Sequence, residues 1–358
     1  MVVLLGLAFV PIVLKVFIGD VEKNKRNKKN FLIWCGIIIT MFLGLRHYAV
    51  GTTDTEVYCM LYRRAANYGS LTNFLNKHGV LNVPFILSES LFYIYVWISS
   101  RFISNPQFLI FSSTAFVTFS VMRFIYKHSE NALISITMYI CLGLMTFNLN
   151  GMRQAIAMAI CLFAYGYAKD KQFIPFALIV LIAVLVHKTA IFFGVVYFIS
   201  FLKFDFKSFM IFAIAVILFI LFADNLIATF DSIADKNYSD GEVFEAGGYV
   251  TVLIYALTIL FTLVVAGKSL SSKDFIFVFY ITLLGASFYL ARYFIIQIYE
   301  RMSYYFFYAT ILLLPKAINR IEETERPILT LIVIGFAMAL FCYRLYGSLF
   351  QNFMFFWG

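Results

Sequence analysis

Residues 173–202 read FIPFALIVLIAVLVHKTAIFFGVVYFISFL. Two apolar runs, 173–187 and 189–202, meet at the pair His187-Lys188. Neither run alternates apolar and polar residues, so neither is a barrel strand. In lipid the backbone must then satisfy its hydrogen bonds within each segment, which leaves the helix. The stretch reads as a helical hairpin through a bilayer with a charged turn. Comparable runs lie at 1–18, 31–45, 85–104, 107–126, 132–148, 153–168 and 208–223, and again at 249–266, 274–291, 302–318 and 327–345. About twelve to thirteen spans of ~20 residues need ~240 residues, which a chain of 358 supplies. The expected fold is an all-α polytopic membrane protein, one integral domain over 1–358, with several spans short enough to be half-spans.

Composition agrees. Hydrophobic residues make up 62% and charged residues 13%, against ~25% charged in a soluble domain. That excludes a secreted globule, a disordered chain and a nucleic-acid-binding domain. The net charge of +9 is therefore read by position. Lys23, Lys25, Arg26, Lys28 and Lys29 crowd the first connection, which places it in the cytoplasm. Lys169 and Lys171, Lys203 and Lys207, Lys268 and Lys273, and Lys316, Arg320 and Arg326 fall on the same side. The long connections 46–84 and 224–248 then lie outside. Three apolar runs separate the first of these from Arg153, where parity needs an even number; the run at 85–104, broken by Ser88, Glu89 and Ser90, is the expected non-spanning one. The five cysteines form no CxxC or Cys/His cluster, so neither a disulfide framework nor a zinc site is expected. The first run lacks a basic leader and a small-residue cleavage site, and reads as a retained span.

The outer side carries charges set against span ends: Arg46, His47, Asp54, Arg153, His187, Lys188, Arg292, Glu300 and Arg301. Arginines there run against the positive-inside bias, and an anionic ligand would compensate them. The planar guanidinium fork suits phosphate oxygens, and several arginines can surround one diphosphate. In Arg46-His-Tyr-Ala-Val-Gly51-Thr-Thr53-Asp54, Gly51 permits a tight turn and Thr53 is a candidate N-cap, with Tyr58 one turn beyond Asp54. Asn150, Arg153 and Gln154, at i, i+3 and i+4, are expected on one face of a helix start, where free N–H groups and a guanidinium both attract anions. His187 beside Lys188 favours a neutral imidazole. Arg292 and Arg301 flank Gln297, Tyr299 and Glu300, and Glu300 can pair with either arginine. Tyr48, Tyr58, Tyr62, Tyr299, Tyr304 and Tyr305 are candidate surfaces for sugar rings. No P-loop and no DxD pair is present; Asp231, Asp235 and Asp240 share one outer loop.

These motifs resemble a known family. Leu45 to Tyr58 is similar to the "R…vGtD…Y" first outer loop of the EpsG-like, Wzy-type polysaccharide polymerases. Asn150–Ala157 with Lys169–Lys171 resembles their "n.iRq.iA…kk" helix, Leu185–Ala190 their "l.Hksa" turn, and Arg301–Pro315 their "R…Y…llP" helix. One departure is that Thr52 and Thr53 both separate Gly51 from Asp54, where the family usually has one residue.

The resemblance implies a GT-C-like membrane glycosyltransferase in the bacterial inner membrane with its active face periplasmic. Such enzymes transfer a growing glycan from undecaprenyl diphosphate to a new undecaprenyl-diphosphate-linked repeat unit. Undecaprenyl diphosphate is released, and the product feeds O-antigen, capsule or exopolysaccharide. On that reading Arg46, Arg153, Arg292 and Arg301 hold the diphosphate in place of a metal. His187, Asp54 or Glu300 removes the proton of the attacking hydroxyl, with His187 favoured. Asn150, Gln154, Lys188 and Tyr58 contact sugar or diphosphate. No cofactor or nucleic acid is expected; the partners are the lipid-linked substrates, membrane lipid and, as a candidate, a chain-length regulator protein. Two other readings share the donor: a flippase-like transporter of lipid-linked oligosaccharide and an O-antigen ligase. Transporters tend to carry internal repeats and paired broken helices, and the charges here hug one face instead of lining a midplane path.

Overall fold

The computed structural model describes residues 2–50, 53–234, 248–266, 272–293, 298–346 and 353–357. Gly51, Thr52, the aspartates Asp235 and Asp240, Gln297 and the outer loop from 235 to 247 lie outside the described residues, as do the side chains of Thr53 and Asp231. The described chain is helical, and its one β-bridge joins Arg46 to Phe355. It is an all-α polytopic membrane protein. Three helices are both long and apolar enough to cross a bilayer: α6 (Gln107–His128), α14 (Lys273–Ala291) and α17 (Arg326–Leu345). A further apolar pair, α7 (Ala132–Cys141) and α8 (Leu144–Asn150), is bent by 44° at a short break, the form of a broken span or a re-entrant loop. Shorter apolar helical stretches are α1 (Val2–Ile18), α10 (Phe173–Val186), Phe206–Phe222 within α12 (Phe206–Ala234) and Tyr249–Val265 within α13 (Tyr249–Ala266).

The break has a sequence cause. Gly143 follows α7 at φ +98° and lies hard against the guanidinium of Arg344, so a side chain has neither the backbone freedom nor the room. Arg344, from the last turn of α17, donates to the Leu142 carbonyl that the break frees, and to Thr251 Oγ1 at 2.7 Å. An arginine thus replaces the missing helical donor.

Polar contacts define two ends of the bundle. At one, Lys316 of α16 (Thr310–Ile318) is 3% exposed. It pairs with Glu130 at 3.0 Å and with Asp274, which Lys169 also meets at 3.2 Å. Lys28 of α2 (Lys25–Gly44) donates to the Ser129 carbonyl at 2.7 Å, and Glu22 accepts from the Ala132 N–H at 2.9 Å. Of the residues assigned to the cytoplasmic side by charge, Lys28, Lys169 and Lys316 therefore gather at this end, and Lys268 lies outside the described residues. At the other end Gln107 Nε2 donates to the carbonyls of Gly44 and Arg46, at 2.7 and 3.1 Å.

The parity argument is answered by α5 (Ser90–Phe102), which at 13 residues is about 20 Å long, short of a ~30 Å core. Its first residue follows Glu89, in the Arg153 cluster described below, and its last leads within five residues to Gln107. Both ends of α5 thus stay at the same end of the bundle. It packs on α3 (Thr53–Asn67), where Tyr62 donates to the Ile103 carbonyl at 2.6 Å and Arg101 to that of Tyr68 at 2.7 Å. Between Arg46 and Arg153 that leaves α6 and the bent α7–α8 pair as the span candidates among the described residues. All five cysteines are free thiols; Cys59 is buried although it lies outside the apolar runs, and Cys342 is exposed.

Removing a buried partner from an ion-pair cluster costs ~3–5 kcal/mol. Because Glu130 and Asp274 are about a third exposed, Lys316→Ala is expected at the low end of that range, about 3 kcal/mol, read as a lowered thermal midpoint in detergent. An unchanged midpoint would show that the cluster contributes nothing net.

Candidate functional site

Pro84 opens a short 3-10 turn over Phe85–Leu87 and Ser88 closes it, its Oγ donating to the Phe85 carbonyl at 2.7 Å. Glu89 follows at φ +50°, ψ +27°, as the cap residue of α5. A glutamate in the left-handed region is uncommon and costs about 1–2 kcal/mol. It is held there by what its carboxylate meets. Oε2 accepts from Arg153 Nη1 at 2.6 Å, and Oε1 is 2.6 Å from His187 Nδ1 and 3.3 Å from the Lys188 N–H. Glu89 is 5% exposed and His187 6%, so these are charge-assisted contacts in a low dielectric.

Each partner is placed by a break in the chain. Arg153 sits in the first turn of α9 (Met152–Lys169), started by Gly151. A cation there opposes the helix dipole, and the Glu89 carboxylate offsets it. Arg153 Nε donates to the Tyr58 hydroxyl at 3.2 Å, and its guanidinium lies 5.5 and 5.6 Å from the rings of Tyr58 and Phe92. Nη2 makes no hydrogen bond to the described residues, and the side chain is 21% exposed. His187 ends α10 in extended backbone, φ −153°, before the 3-10 stretch Lys188–Gly194. Burial pushes the imidazole below its ordinary range, and the bond to Glu89 opposes this only in part. The ring is therefore neutral at pH 7, with Nδ1–H donating to Glu89 and Nε2 left as an acceptor without a partner among the described residues. Lys188 is buried beside it, and Thr189 bonds the Tyr305 hydroxyl at 3.0 Å.

Arg301 joins this group from α15 (Ile298–Phe307). Gln154 Nε2 donates to its carbonyl at 2.5 Å, and its charge acts on the His187 ring. The Arg301 side chain is exposed and forms no hydrogen bond or ion pair among the described residues. Glu89, Arg153, His187, Lys188, Gln154, Tyr58 and Arg301 thus converge, and two cationic groups face a neutral imidazole.

The other sequence candidates lie apart. Arg46 is 1% exposed and donates to the carbonyls of Leu43 and Leu149, at 2.8 and 3.3 Å, and to Thr114 Oγ1 at 3.3 Å. It closes the carbonyl ends of α2 and α8. Asp54 is exposed in the first turn of α3 and makes no side-chain hydrogen bond or ion pair among the described residues. Glu300 is paired with Arg292 at 2.6 Å and accepts from Tyr304 at 3.3 Å, while Arg292 also donates to Tyr289 at 2.8 Å. Gly248, at φ +126°, leaves the room that this second cluster occupies. One expectation is corrected outright. Asn150, Arg153 and Gln154 do not share a helix face, because Gly151 separates α8 from α9, and Asn150 Oδ1 has no hydrogen-bond partner among the described residues. The tyrosines are corrected in part: Tyr62, Tyr299 and Tyr305 are at most 2% exposed, and Tyr304 stacks on Phe147 at 4.0 Å. Glu89, the centre of the cluster, was read from sequence only as an interruption of an apolar run.

Burial of a neutral His187 has a consequence for stability. A folded-state pKa below the unfolded value of ~6.5 means that the contribution is fully present above that pH and is lost as pH falls below it. The thermal midpoint is expected to drop between pH 7.5 and 5.5, and to drop less in His187→Gln. An equal drop in both would remove His187 from the account.

The EpsG family model matches residues 7–356. No curated protein and no solved structure gives a match. A family match that runs from α1 to the segment bridging Arg46 takes in every residue of the cluster, and the chain belongs to the EpsG family, whose function is polysaccharide-polymerase-like.

Proposed function

We propose that this chain is a Wzy-type polymerase of the bacterial inner membrane. It transfers a growing glycan from undecaprenyl diphosphate to a new lipid-linked repeat unit at the periplasmic face. The observation that carries this reading is the buried Glu89–His187 pair with Arg153 on the same carboxylate and Arg301 alongside.

The chemistry divides between these groups. The acceptor hydroxyl gives its proton to His187 Nε2 as its oxygen attacks the anomeric carbon. The bond from that carbon to the diphosphate oxygen breaks, and the electron pair leaves with the diphosphate. Arg153, through Nη2, and Arg301 meet the negative charge that develops there. Glu89 acts as a positioning residue: it fixes the imidazole tautomer and stabilises the imidazolium that forms. Lys188, Tyr58 and Gln154 border the site. Arg46, Arg292, Asp54 and Glu300 lie outside this central group.

Purified full-length protein with a synthetic undecaprenyl-diphosphate repeat unit and excess EDTA is expected to give a glycan ladder on a gel. Arg153→Ala and His187→Ala are each expected to lower turnover by roughly 10²–10³. A ladder that needs a divalent cation would reject the metal-free clamp, and an undiminished ladder in His187→Ala would reject the base. Movement of the lipid-linked unit across a vesicle membrane without polymerisation would assign a transporter. Transfer of finished glycan only to a different lipid acceptor would assign a ligase.

The pH profile separates positioning from mere packing. Activity is expected to hold down to below pH ~6.5 and then fall as His187 gains a proton. Glu89 raises the proton affinity of the ring, so Glu89→Gln should move this acid limb to still lower pH, with kcat reduced and KM little changed. A limb that stays in place in Glu89→Gln would make Glu89 structural only.

A further inference from the structure

A groove of about 530 Å³ runs between α2 and α6, with one end at Lys29 near the start of α2 and the other at Met41 and Phe111 near its end. Its walls are apolar along most of their length, from Leu32, Ile33 and Ile37 to Met41 and Phe111. Its floor is Gly36, where a Cβ would come 3.1 Å from Met122. The volume lies within the ~300–1,000 Å³ typical of small-molecule sites. Charged groups collect at one end only, where Lys29 and Arg123 line the groove with Tyr126, while Thr40 lies toward the other end.

These two cations differ from their neighbours. Lys28 is engaged, donating to the Ser129 carbonyl and lying within the field of Glu22 and Glu130. Lys29 is exposed, Arg123 is half-buried, and neither pairs with a carboxylate among the described residues. Arg123 is held with its guanidinium 4.4 Å from the Phe163 ring. It precedes the end of α6 by five residues, about 7 Å, the depth of a head group meeting acyl chain. From Lys29 to Met41 the groove follows twelve residues of α2, about 18 Å, slightly more than half of a ~30 Å hydrocarbon core. One apolar chain of one leaflet has that reach, and an anion at its top would meet both cations.

We infer that this groove binds an anionic glycerophospholipid. Its head-group phosphate lies between Lys29, Arg123 and Tyr126, and one acyl chain lies along Gly36 toward Phe111. The site is remote from the Arg153 cluster and independent of the reaction proposed there.

The test is native mass spectrometry of the full-length protein in detergent. Phosphatidylglycerol and phosphatidylcholine of identical chains are supplied in equal amounts. One phosphatidylglycerol is expected to be retained in preference, by about fivefold for each cation. Lys29→Gln with Arg123→Gln should bring the two lipids to parity, while Lys23→Gln with Lys25→Gln should leave the preference intact. Gly36→Leu should reduce retention of both lipids, and the pair of exposed substitutions decides the matter if that variant does not fold. The same preference in the Lys29/Arg123 variant would overturn the proposal. So would displacement of phosphatidylglycerol from the wild type by a stoichiometric short polyprenyl diphosphate, which would give the groove to the carrier lipid.

Discussion

A carboxylate removed from water must be compensated, and Glu89 is compensated by three groups drawn from two other parts of the chain. Arg153 reaches it from the start of α9, His187 from the turn after α10, and the Lys188 N–H from the next residue. None of the three is adequate alone. Arg153 without Glu89 is a cation at the wrong end of a helix dipole, and His187 without it is a buried ring with an unpartnered N–H. The mutual requirement fixes how α5, α9 and α10 meet, and it holds Glu89 in a backbone conformation that glutamate otherwise avoids. The geometry useful for proton transfer is thus the same geometry that makes burial tolerable.

The two ends of the bundle meet the same electrostatic problem. At the end built on Lys316, the ammonium groups of Lys316 and Lys169 meet Glu130 and Asp274 as point charges, while Lys29 and Arg123 have no carboxylate partner among the described residues. At the other end Arg153 lies on Tyr58 and Phe92 and Arg292 on Tyr289 and Tyr293, a backing that Arg320 on Phe275 and Arg123 on Phe163 share. Ring faces stabilise a guanidinium without consuming its donors. That leaves donor capacity, on Arg153 Nη2 and along Arg301, for a ligand.

Apolar runs were enough to read the helical class, and the polar break at Ser88, Glu89 and Ser90 marked where a short helix begins. Arg153 and His187 were legible because a charge at the edge of an apolar run is costly wherever it points. Glu89 was visible too, but only as a defect in a helix, because its meaning depends on partners 64 and 98 residues away. Arg46 and Arg292 carried the same sequence signal as Arg153. What distinguishes them is settled only by packing: Arg46 is spent on the carbonyls of Leu43 and Leu149, Arg292 pairs with Glu300 in a second cluster, and Arg153 shares its carboxylate with His187. The misplacement of Asn150 came from extending a helical period through Gly151, where the chain stops one helix and begins another.

The β-bridge at Arg46 carries an implication for how the protein is made. The His47 N–H donates to Met354 and the Phe356 N–H to Leu45, at 2.9 and 3.0 Å. The corner that ends α2 is therefore completed by residues about 300 positions later in the chain. At ~5–20 residues per second, ribosomal synthesis leaves that corner waiting ~15–60 s. Through that interval the helices between must enter the bilayer while the Leu45 carbonyl and the His47 N–H rely on water or lipid head groups. Assembly is closed like a ring, with the last clasp made on one of the first helices to emerge.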